Sequence, residues 1–124
     1  MMNETFGWTS VLAGGAMGLY MGLRFRREDW LGGYNSFPRR MVRLAHVALM
    51  ALGILNIQFG QSLPRMQLGP TTEMVASFSF MSAAVLMPAC CLWMAARRSR
   101  FEIFAAPVSC LAAGLVLTIG GLIR

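Results

Sequence analysis

The sequence contains no lysine, one histidine and five carboxylates in 124 residues. Charged residues make up 13 % of the chain, about half the roughly 25 % usual in a soluble domain. So little charge cannot cover a water-facing globular surface, and the apolar fraction of 56 % is too high for a disordered chain. Cysteine is scarce as well. Cys90, Cys91 and Cys110 all fall inside apolar runs, where a free thiol behaves as a small buried apolar group. A disulfide framework would need more cysteines, placed in loops. The seven residues Met1 to Gly7 carry Glu4 and no side-chain cation, unlike the positive start of a cleavable signal peptide. A retained first helix is therefore expected.

Enzyme chemistry also lacks its parts. The apolar runs hold no Asp or Glu, one His, and no nucleophile with a partner at recognisable spacing. The Gly32-Gly33 pair reads as a turn, not as a phosphate-cradling loop.

What is present is apolar length. A bilayer core about 30 Å thick needs roughly 20 apolar helical residues. Four uncharged runs meet that need: Thr5 to Leu23, Leu44 to Pro64, Met74 to Ala96, and Ile103 to Ile123. A soluble core helix would carry a charged stripe, and these runs do not. The expectation is one all-α transmembrane domain spanning 1–124, a four-helix up-down-up-down bundle with helices near 5–23, 42–62, 74–96 and 102–123.

The eleven cations are all arginine and they are unevenly placed. Arg24, Arg26, Arg27, Arg39, Arg40 and Arg43 surround the first connection, and Arg97, Arg98 and Arg100 the third. Only Arg65 and Arg124 fall on the other side. The positive-inside rule then puts loops 24–41 and 97–101 in the cytoplasm and both termini outside. The inner membrane of a bacterium is the expected location. Clusters beside apolar runs suit a lipid surface better than nucleic acid. With Trp30 and Tyr34 among them, the same arginines are expected at the lipid headgroups. The third connection is short enough to force its two helices together as antiparallel neighbours. The second, with two prolines, reads as an outer turn, and Thr71-Thr72-Glu73 as a helix start.

Two small-residue stripes stand out. Gly14, Gly18 and Gly22 recur at four-residue spacing on the first helix, and Ala106, Cys110 and Gly114 on the fourth. Such stripes let backbones approach closely, within one bundle or between subunits, and the second could be the groove that matches the first. The second helix is the most polar. His46, Gly53, Asn56 and Gly60 share one face, with Gln58 and Gln61 toward the outer end. Polar groups at membrane depth, here His46, Asn56 and Gln58, are candidate functional positions when a partner exists. His46 could bridge helices, or ligate haem or copper with a second ligand from Met50, a second copy or another subunit. No resident cofactor is expected.

These features point first to a non-catalytic membrane protein, a small accessory or structural subunit of a larger inner-membrane complex, with an electron-transfer complex as one host. Its partners would be the bilayer and other membrane subunits or itself, with no nucleic acid and no soluble substrate. A homo-oligomeric channel or transporter lined by the second helix is the alternative. A haem or copper redox protein using His46 is the third.

Overall fold

The uncharged runs become helices, but helix ends follow capping chemistry and not the limits of apolarity. The computed structural model describes residues 2–98 and 100–123. Helix α1 runs Met2–Arg24, α2 Phe37–Ser62, α3 Pro70–Arg97 and α4 Ala105–Ile123. Short 3-10 turns at Trp30–Gly32, Leu63–Arg65 and Phe101–Phe104 join them. The largest departure from expectation is the start of α2. The Ser36 hydroxyl accepts a hydrogen bond from the Arg39 amide, and Pro38 sits in the first turn with its φ already helical. The helix therefore begins five residues earlier than the expected 42, so Arg39 and Arg40 stand on α2 with Arg43 and not in a loop. Similarly α3 starts at Pro70 behind Gly69, which places Thr71 and Thr72 inside its first turn.

Among the described residues, three segments are long and apolar enough to cross a membrane: Phe37–Arg65, Pro70–Arg97 and Phe101–Ile123. Helix α1 has 23 residues, enough length for a span, but its glycines, threonines, Ser10 and Trp8 dilute its apolar character.

Packing follows chain order. Helix α1 lies along α2, α2 along α3, and α3 along α4, with slight contact from α1 to α3. The central pair is α2 and α3, and α1 and α4 form the flanks. The Phe37 and Phe101 rings meet at 6.3 Å, so the first and third connections share one end. At the other end the Gln67 amide donates to the Gly121 carbonyl, and Glu4 lies against Gly60. Nine arginines thus gather at one end of the helices. Arg65 sits at the other, while Arg124, counted above as an outer cation, lies outside the described residues.

The distribution of side chains is the reverse of a water-soluble bundle. Ala45, Ala76 and Ala83 are fully buried, whereas Leu12 is 74 % exposed and Ile123 80 %. Large apolar side chains face outward along every helix, as they would toward lipid, and small ones let the backbones close. Buried apolar side chains run the length of the helices, from Met41 and Met94 at the arginine-rich end to a cluster at the Arg65 end. There the Phe59 and Phe80 rings, centroids 5.0 Å apart, pack with Met66 and Ala76.

Candidate functional site

Three sets of side chains do something beyond filling space, two on helix contacts and one at the arginine-rich end. The first is the α1–α2 seam. Gly7 and Gly53 bring the two backbones together: a Cβ added at Gly7 would lie 2.5 Å from the Gly53 carbonyl oxygen. One turn along, the Ser10 hydroxyl donates to the Leu49 carbonyl at 2.8 Å. Next, a Cβ on Gly14 would meet the Met50 sulfur at 2.8 Å, and one on Gly18 the His46 ring at 2.8 Å. His46 Nδ1 lies 2.8 Å from the Gly14 carbonyl oxygen. A carbonyl can only accept, so Nδ1 carries the proton and donates. The histidine therefore bridges helices, its ring seated on Gly18, and only Nε2 is left for any ligand.

The two glycine-type stripes are not mates. Gly14 and Gly18 face α2, while Gly22 meets nothing. On α4, Gly114 lies under the Phe80 ring of α3, Ala106 is exposed, and Cys110 lines a shallow cavity with Ser79 and Ser82. The matching-groove expectation fails because α1 and α4 occupy opposite flanks. Spacing defines the face of a helix but not the helix that covers it.

The second set is an amide node at the junction of α1, α2 and α3. Asn56 is 0 % exposed and Asn3 2 %. The Asn3 amide donates to Asn56 Oδ1 at 3.0 Å and toward the Ser77 carbonyl at 3.4 Å. The Asn56 amide donates to the Leu52 carbonyl at 2.9 Å and to the Phe80 carbonyl at 3.2 Å. Both Asn56 donors and its acceptor are used, so the group is fully satisfied and ties three helices together. Gln58 is exposed on another face of α2. The three polar positions of α2 therefore do not converge: His46 points at α1, Asn56 into the three-helix junction, and Gln58 outward.

The third set is the arginine-rich end. Arg39 is 3 % exposed and is the buried arginine among the described residues. Its guanidinium lies 4.7 Å from the Phe25 ring centre, 5.6 Å from Trp30 and 5.5 Å from Tyr34. Ring faces are the negative end of the aromatic quadrupole, so they compensate the charge that burial strips of water. Its Nε has no hydrogen-bond partner. The loop reaches this position through Leu31, Gly32 and Gly33, all at positive φ, and Ser36 fastens it by donating to the Leu31 carbonyl at 2.6 Å. Arg43 lies 4.7 Å over Tyr34 and donates toward its carbonyl at 3.4 Å. Arg24 stacks on Tyr20, Arg97 on Trp93 and Arg98 on Phe37. Arg26, Arg27, Arg40 and Arg100 are exposed, the last 3.8 Å from Glu102.

Asn3, Gly7 and Ser10 were not singled out from the sequence. Gly7, Gly14 and Met21 repeat every seven residues with Ser10 and Gly18 between them, the pattern of one helix face, and that was the available signal for the seam. Asn3 precedes the uncharged run and carried no signal. Among the described residues no three His, Cys, Asp or Glu side chains converge as a metal site would require. Comparison with protein-family models, curated proteins and solved structures found no significant match to the chain.

Proposed function

We propose that this chain is a multi-pass integral membrane protein that acts as a small accessory or structural subunit of a larger complex in a bacterial inner membrane. All four helices span in this reading, with the arginine-rich end in the cytoplasm and both termini outside. The observation that carries it is where the polar groups go. Asn3, Ser10, His46 and Asn56 are each spent on holding α1, α2 and α3 to one another. These four polar groups face helix contacts and not one common path. The outward faces, by contrast, are apolar and include small residues, Gly15 and Gly22 on α1 and Ala105, Ser109 and Ala113 on α4. Faces of that kind admit another transmembrane helix at close range.

The test is extraction from native membranes in mild detergent, followed by native electrophoresis and identification of co-migrating chains. A complex much larger than the chain, containing a defined membrane partner, is expected. A lone monodisperse species with no partner would reject the accessory role.

A further inference from the structure

The arginine-rich end contains a cavity of about 280 Å³ between the start of α2, the end of α3 and the turn before α4. Its walls are Phe37, Met94 and Phe101, and Arg98 stands at its edge with its guanidinium 5.7 Å from the Phe37 ring centre. This pairs an apolar wall with a fixed positive charge. Arg98 is held there by an unusual backbone. It ends α3 in the left-handed region, φ 43° and ψ 51°, with its amide donating to the Met94 carbonyl at 3.1 Å. Glycine is the residue favoured at such a helix end, and an arginine there is strained. The surroundings add charge of one sign: nine arginines against Glu28, Asp29 and Glu102 at this end of the molecule.

We propose that this cavity is a binding site for an anionic phospholipid, with Arg98 on the headgroup phosphate, Phe37 and Phe101 against the glycerol and upper acyl chain, and buried Met94 forming the floor. The assignment rests on the membrane reading given above. A phosphate supplies the counter-charge that this end of the protein lacks. The apolar walls suit a ligand joined to hydrocarbon, and basic pockets between helices at the cytoplasmic side are known to take such headgroups.

The test uses the purified full chain in non-ionic detergent. Phosphatidylglycerol and phosphatidylcholine of equal chain length are titrated, and bound lipid is counted by native mass spectrometry. One arginine near an anionic headgroup corresponds to about a fivefold preference for phosphatidylglycerol. Arg98→Gly removes the guanidinium while placing at the left-handed position the residue that fits it best, so the variant folds. Its preference for phosphatidylglycerol is expected to be about fivefold smaller than the parent's. Arg65→Gln, at the opposite end, keeps the parent preference. Millimolar inorganic phosphate leaves bound phosphatidylglycerol in place. A parent without preference, an Arg98→Gly variant that retains it, or an Arg65→Gln variant that loses it overturns the site. Displacement by inorganic phosphate overturns the lipid as its ligand. A chain that stays in the supernatant without detergent refutes the membrane reading instead, and a membrane-pelleted chain without headgroup preference refutes only this site.

Discussion

Alanine at Gly7 is the sharpest perturbation of the α1–α2 seam. Its Cβ would lie 2.5 Å from the Gly53 carbonyl oxygen, 2.6 Å from Ile57 Cγ1 and 2.9 Å from the Ile57 amide nitrogen. Two of these atoms are backbone, so no rotamer change relieves the clash. The helices must part by about 1 Å to restore ordinary contact. Overpacking of this kind costs roughly 1–3 kcal/mol. The same separation stretches the Ser10–Leu49 and His46–Gly14 bonds, each 2.8 Å long. Interhelical hydrogen bonds in membranes average about 0.6 kcal/mol. Against this, alanine favours a helix over glycine by up to about 1 kcal/mol. A net loss of about 1–3 kcal/mol results. Gly15 and Gly22 provide the control on the same helix. A Cβ at either meets nothing within 4 Å, so the propensity gain stands alone. The assay is reversible unfolding in mixed micelles followed by circular dichroism. Gly7→Ala should fall below the parent, while Gly15→Ala and Gly22→Ala should equal or exceed it. Equal stability of Gly7→Ala and parent, or equal losses at all three positions, would refute the seam.

Three further substitutions probe the other sets. Asn56→Ala removes three hydrogen bonds but leaves the Leu52 and Phe80 carbonyls in their own helices, so a loss of about 1–2 kcal/mol is expected in the same assay. In liposomes, parent and variant should show equal background ion leakage, and a parent flux abolished by the variant would favour a channel. Arg39→Gln removes the charge that three rings enclose, and chymotrypsin should then cut at Phe25, Trp30 and Tyr34 faster than in the parent, since each cation–π contact contributes about 0.5–2 kcal/mol. Unchanged cleavage would show that the arginine does not hold the loop. His46→Ala should lose roughly 0.5–1.5 kcal/mol of stability and leave the visible absorption spectrum of the purified protein flat, like that of the parent. A Soret band lost on substitution would make His46 a haem ligand.

The four helices were legible because uncharged stretches of 19 residues or more have few alternatives to a helix, although only three of the four are apolar enough to cross a membrane. The shared end of the two arginine clusters followed from the up-down connection order, and the Phe37–Phe101 contact places them together. Boundaries were less legible. Arg39 and Arg40 were read as loop residues because charge was taken to end the helix, yet a helix capped by Ser36, with Pro38 in its first turn, already contains them. Partner choice was least legible. The Gly14-Gly18-Gly22 spacing marked a close-packing face, but α2 covers only the first two of these glycines. Asn56 stood out as a polar residue at membrane depth. Its partner Asn3 lies 53 positions away and outside any apolar run, so only the fold reveals that the two amides satisfy each other. The burial of Arg39 likewise depends on a loop turned back by Leu31, Gly32 and Gly33.

The most direct measurement is sidedness in intact cells. Cys90, Cys91 and Cys110 are replaced by alanine, and one cysteine is introduced at exposed Asp29 in the arginine-rich connection or at exposed Gln67 in the opposite one. A membrane-impermeant maleimide should label Gln67→Cys directly and Asp29→Cys only after permeabilisation. Labelling of Asp29→Cys in intact cells, with Gln67→Cys protected, would contradict a protein that crosses the bilayer with its arginines on the inner side.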